Sequence, residues 1–253
     1  MPPDSPLVLS QENALRKVHS ADLQGMWMAG SIVLEMQRLV QKTGHNIVGE
    51  VLRGAGTFTE WNHYPEGDAR DPEAHSQYYY HAHPPDGRDM PEHGHFHLFL
   101  RERGMPSGVA PAPGQSLPEG DNAILCHLVA VSMDEYGIPI RLFTVNRWVT
   151  GDVWYPAGDV GRMLDRFDID VVRPNLAVNR WISAIVKLFR PQIVSLLDAR
   201  DSKVDEWRRS HPGEDVFEDR RLEVTSMMDV SVDEQMDQIS RRLGRRPQEI
   251  SAA

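Results

Sequence analysis

The chain has 253 residues, of which 25% are charged and 40% hydrophobic; it is long enough to bury a full core, and its balance excludes wholesale disorder. A formal net charge of −10 argues against nucleic acid as a partner, because sequence-independent binding to phosphate backbones needs clustered Lys and Arg to release counterions. The single cysteine, Cys126, excludes an intrachain disulfide framework and Cys-rich zinc ribbons, so any metal would be held by nitrogen and oxygen.

Met1-Pro2-Pro3-Asp4-Ser5-Pro6 reads as a polar tail rather than a signal segment. No apolar run of about eighteen residues follows that would span a bilayer, so a cytoplasmic protein without a membrane partner is expected. Ser10-Gln11-Glu12-Asn13 opens a long helical pattern in which Leu23, Trp27, Val33, Met36, Leu39 and Val40 recur at three-to-four spacing, ending at Gly44. Gly25 and Gly30 inside it either break the helix or permit close packing. Ile47 to Leu52 is a short apolar segment, 57–61 alternates like a first strand, and 62–76 carries turn chemistry that reads as a long loop.

Strands are predicted at 77–83, 93–101, 123–132 and 138–149, with a tight turn near Asp134-Glu135-Tyr136-Gly137. The Pro- and Gly-rich stretch 102–122 reads as a lid or mobile excursion. At 146–150 the alternation of Asn146, Trp148 and Thr150 reads as an edge strand ending at a turn, with a pocket wall as the alternative. Helices return around 158–167 and from Leu176, where Ile182, Ile185, Val186 and Phe189 make an apolar stripe that Pro191 should kink or split. A last helix, Val232 to Leu243, follows the N-cap-like Ser231, with the capping acid Glu234 at its N3 position. The sum is a single α+β domain over 1–253, a mainly antiparallel β-sheet at about 55–155 covered by N- and C-terminal helices, with flexible tails at 1–10 and 245–253.

Five of the eleven histidines lie between positions 81 and 97: His81, His83, His93, His95 and His97. If His83 pairs with His93, then His81 faces His95 and Tyr79 faces His97, and all share one side of the sheet. Phe96, Leu98 and Leu100 would face a hydrophobic layer, and His127 can join the histidine side while Cys126 points away. Any one histidine is more often a satisfied polar residue, but this alternating set points to a transition metal, zinc, iron or copper. The predicted ligands are His81, His83, His95 and His97, with His93, His127 and His63 in reserve. Glu92, Asp86 and Glu60 are the carboxylates nearby. Five imidazoles exceed the needs of one catalytic metal, which leaves room for a second metal or for supporting hydrogen bonds. Tyr78, Tyr79 and Tyr80 read as packing residues first.

His93-Gly94-His95-Phe96-His97-Leu98-Phe99 resembles the histidine-triad motif of nucleotide hydrolases and transferases, although Gly94 stands where a hydrophobic residue is usual. That resemblance implies His95 as a nucleophile at phosphorus. More widely, Trp61-Asn62-His63-Tyr64-Pro65, the run Tyr78 to Pro84, the run Glu92 to His97 and Asn146 to Gly151 resemble an uncharacterised bacterial family of unknown function, which implies no activity. The expected function is metal binding, in a metal-dependent hydrolase or oxygenase whose open coordination position activates water or dioxygen toward a small-molecule substrate. A non-catalytic metal or haem carrier and a histidine-triad nucleotide hydrolase or transferase are the alternatives. Metal identity, substrate and oligomeric state stay open.

Overall fold

A computed structural model describes residues 5–16, 18–84 and 91–245. Seven strands, β1 (Leu7–Leu9), β2 (Tyr64–Arg70), β3 (Ser76–His81), β4 (Gly94–Arg101), β5 (Leu125–Met133), β6 (Pro139–Val145) and β7 (Val224–Asp229), form one sheet in the order β1-β7-β6-β5-β4-β3-β2. Strands β2 to β6 are an antiparallel meander, β7 adds antiparallel to β6, and β1 closes the edge parallel to β7. The helices are α1 (Gln11–Leu15), α2 (Ser20–Gln41), α3 (Ile47–Val51), α4 (Arg147–Thr150), α5 (Ala157–Met163), α6 (Leu176–Leu188), α7 (Arg190–Ser210) and α8 (Val232–Arg242). The fold is α+β, as the sequence predicts.

Period-two alternation sorts the central strands. Tyr78, Tyr80, Phe96, Leu98 and Leu100 enter the main core, where Phe96 lies 5.8 Å from the Trp181 ring of α6 and the Tyr78 hydroxyl donates to Asn179 Oδ1 at 2.7 Å. That leaves Tyr79, His81, His95 and His97 to the opposite face, which is also buried. Asn175 caps α6 by accepting from the Ala177 and Val178 amides. Gly30 permits close helix packing, since a Cβ there would collide with Met236 Sδ and lie 3.1 Å from Leu188 Cδ1. The chain ends are tied by buried glutamines: Gln11 and Gln192 both donate to Gln235 Oε1, at 3.2 and 2.9 Å.

Several local expectations are corrected. The N-terminal helical pattern breaks between α1 and α2, not at Gly25. The segment 57–61 is turn, and the strand lies instead at 64–70, inside the stretch read as a loop. Pro65, Gly67 and Asp68 are tolerated there because β2 is an edge strand whose register shifts between Tyr64 and Ala69. The strand predicted to run to 149 stops at Val145; Asn146 caps α4, and Gly151 ends it in the left-handed conformation at φ 64°. Asn146, Trp148 and Thr150 are therefore not alternate strand positions. The sheet also extends beyond 55–155, through β1 and β7, and Leu7–Leu9 is a strand rather than part of a flexible tail. Positions 1–4 and 246–253 of the expected tails lie outside the described residues, as does Asp86. The segment 102–122 is irregular but anchored: Ala112 N–H donates to Trp154 O, Trp154 N–H to Gln115 Oε1 and Arg162 to Ser107 O.

Candidate metal centre

The β3–β4 register sets Tyr79 against His97 and His81 against His95. Adjacent strands bring such opposed side chains within reach of each other. His81 Nε2 lies 2.8 Å from His95 Nε2, and His97 Nε2 lies 3.0 Å from the same atom. His83, just past the end of β3 and only half-buried, brings its ring 4.7 Å from that of His81 and 5.2 Å from that of His95. One nitrogen from each of His81, His83 and His95 falls within 4.8 Å of the others, a group that could hold a metal ion. His95 and His97 are 0% and 1% exposed and His81 8%, so the cluster opens on the His83 side.

Two of the rings, His95 and His97, are held by supports of their own. Glu92, on the turn entering β4, places Oε1 2.7 Å from His95 Nδ1, and its Oε2 accepts from Ser132 Oγ of β5 at 2.5 Å. Beside a carboxylate, Nδ1 carries the proton and Nε2 presents the lone pair to the cluster. His97 Nδ1 lies 3.0 Å from His127 Nε2. His127 reaches this face because the β4–β5 register shifts after Leu98↔Val129 to Phe99↔His127, so Leu128 is the extra residue of a bulge. A regular ladder would set His127 opposite Leu100, on the core side. The backbone amide N–H of His127, not its ring, donates to Asp152 Oδ2 at 2.8 Å, which fixes the strand at this position.

The surroundings of His127 favour its neutral imidazole. Burial pushes His127 down to about 3, with the Arg200 charge acting in the same direction. Burial raises the Asp152 carboxyl to about 6 against the hydrogen bonds it accepts from His127 N–H and Thr150. Cys126 is buried on the core side with its thiol pushed well above its usual value, chiefly by burial. It is a core residue, not a ligand.

The two other reserve histidines sit at the rim. His93 Nδ1 lies 2.7 Å from the Tyr80 hydroxyl, away from the cluster. His63 stacks on Tyr79 with ring centroids 3.6 Å apart, pairs with Asp68 at 3.0 Å, and lines a cleft of about 570 Å³ with Arg53, Asn62 and Glu66. Trp61, exposed and at φ 70°, sets its ring 4.3 Å from that of His83. Of the tyrosine run, Tyr79 borders the cluster itself, 5.2 Å from the His97 ring. The supporting roles of Glu92 and Asp152 were not readable from their positions in the chain: Glu92 had a signal only in its proximity to His95, and Asp152 had none.

Against known proteins, the model of a family described as a domain of unknown function (DUF6969) matches residues 27–230, a span that contains every candidate ligand. No curated protein and no solved structure matches the chain. Among the described residues, no helix is long and apolar enough to cross a membrane.

Proposed function

We propose that this chain, which belongs to the DUF6969 family, binds one transition metal on its histidine face and uses it as an enzyme acting on a small-molecule substrate. The observation that carries this reading is the crowding at His95 Nε2. With Nδ1 committed to Glu92, Nε2 has one lone pair, yet two imidazole nitrogens stand 2.8 and 3.0 Å from it. One lone pair accepts one proton well, whereas a cation at the centre is served by all of them. Nitrogens about 2.1 Å from a common metal are about 3.0 Å apart at right angles and about 3.4 Å apart at the tetrahedral angle, close to the observed spacings.

His81, His83 and His95 are the first ligands, and His97 lies beside them. An all-imidazole set without thiolate suits zinc, iron or copper. Three histidines leave a coordination position free, and the metal would there supply Lewis-acid or oxygen-activating chemistry. Glu92 orients His95, while the His127 ring, on a strand whose backbone Asp152 anchors, does the same for His97. The half-buried His83 marks the side from which a substrate arrives. A histidine-triad mechanism is disfavoured by the same geometry, because a nucleophilic His95 must offer Nε2 to phosphorus, and this ring is fully buried with that atom facing two other imidazoles.

The test uses untagged protein reconstituted with zinc, iron(II), copper or manganese, desalted, and analysed for metal. About one metal per chain is expected, lost when His95→Ala and His97→Ala are combined. Retention of none of the four would sink the metal reading. A loaded protein that cannot take up azide at its metal would favour the non-catalytic carrier. A nucleotidyl adduct on His95 formed in the presence of chelator would instead install the histidine-triad enzyme.

A further inference from the structure

We infer that Arg141 is the anion-recognition residue of the histidine centre, and that the substrate is a small molecule carrying a carboxylate or phosphate group. The inference rests on the metal reading above and names the substrate class for that site. The register lays one row of residues straight across five strands: His81 opposite His95, His95 opposite Ser132, Ser132 opposite Arg141, and Arg141 opposite Asp229. Phe143, two residues further along β6 and so on the same face as Arg141, has its ring 5.1 Å from that of His95. Arg141 therefore shares the histidine face. It stands two strands from His95, about 10 Å at the usual strand spacing, a gap that a small ligand and an arginine side chain together can bridge.

The guanidinium is only part used. Its Nε donates to Asp229 Oδ1 at 2.7 Å, while Nη1 is buried and meets no acceptor among the described residues. The Arg141 side chain is 14% exposed and that of Asp229 77%, so the partner of Nε lies largely in solvent. A structural cross-strand pair would be satisfied by Asp229 alone and gives no reason to bury a second donor without an acceptor, which is destabilising. A bound oxyanion supplies that acceptor, and a guanidinium fork matches the two oxygens of a carboxylate or phosphate. Ala130, Phe143 and Val145 form an apolar cluster on the same face, which keeps the dielectric low and strengthens the contact. The chain as a whole carries a net charge of −10, so anion binding here would be local to this residue.

Binding of succinate, inorganic phosphate and acetate to metal-free and to zinc-loaded protein, measured by calorimetry for wild type, R141Q and R141K, tests the assignment. Wild type should bind succinate or phosphate at least about tenfold more tightly than R141Q, with R141K between them and acetate weakest. The tighter of the two probes identifies the anion as carboxylate or phosphate. Zinc content should be the same in all three proteins. Equal affinity in wild type and folded R141Q, or no binding of either probe to wild type, overturns the inference. If R141Q does not fold, R141K binding both probes as wild type does overturns it as well. Failure of the metal reading would show separately, as absence of zinc from every variant, while the metal-free arm still reports on Arg141.

Discussion

Glu92 touches His95 through one oxygen, so its role can be separated from its packing. Glu92→Gln keeps the shape but removes the charge that fixes the His95 proton on Nδ1. Metal affinity should fall about 10–100-fold, measured by competition with a chromophoric chelator; unchanged affinity would mean that Glu92 does not orient the ring. Asp71 offers a second residue-scale test, unconnected with the metal. Its carboxylate accepts from the Glu73, Ala74 and Asp170 amides, each at 2.8 Å. Burial raises its pKa, but these donors outweigh burial and hold the carboxyl below its ordinary value. A depressed folded-state pKa contributes stability that is present above the unfolded value, about 3.9, and is lost as pH falls through the folded one. Asp71→Asn should therefore cost about 1–3 kcal/mol at neutral pH, with the gap to wild type narrowing below about pH 4 in urea-unfolding curves. A gap that did not change with pH would remove the charge from this explanation.

At the scale of elements, the β3–β4 pair depends on Gly94. A Cβ there would lie 2.5 Å from both the His81 carbonyl and the Tyr80 hydroxyl, so Gly94→Ala must push the two strands apart where His81 meets His95. The expected cost is about 1–3 kcal/mol of stability, with metal content lowered in parallel; normal melting and full metal loading would show that the strands absorb the methyl freely. The same crowding explains why a glycine interrupts the hydrophobic alternation of the motif at 93–99. This pair was the most legible part of the chain, because alternation alone fixes which residues share a side, and the assumed pairing of His81 with His95 is the one observed. The capped start of α8 was equally readable, and Ser231 does accept from the Glu234 amide. Edge strand β2 was hidden by its own Pro65 and Gly67, which signal a turn wherever no partner strand is known. The bulge at Leu128 was invisible for a different reason: only the pairing with β4 reveals that one residue is surplus. Arg141 likewise gains its place in the histidine row from strands far away in sequence.

For the whole molecule, a ligand that binds only the folded chain adds stability in proportion to the logarithm of its excess over its dissociation constant, about 2.7 kcal/mol at a hundredfold excess. The proposed ligands come from β3, the segment just past it and β4, so metal should stabilise the entire fold. Adding the preferred metal should raise the melting temperature by several degrees, reversibly with chelator, in wild type but not in the variant that combines His95→Ala with His97→Ala. A melting temperature indifferent to metal would separate the cluster from folding stability.

The sheet order also sets a timetable. Strands β2 to β6 follow one another in both sequence and space, whereas β1 pairs Leu7 with Ser226 and so joins nearly the two ends of the chain. Closing so long a loop carries the largest entropic cost of any pairing here, and contacts of high sequence separation form slowly. The imidazoles, all carried on or beside β3, β4 and β5, belong to the quick local pairing. A refolding chain should thus bring its histidines into register before β1 meets β7, so metal added at the start of refolding should meet an assembled histidine face on a sheet whose outer strand is still to come.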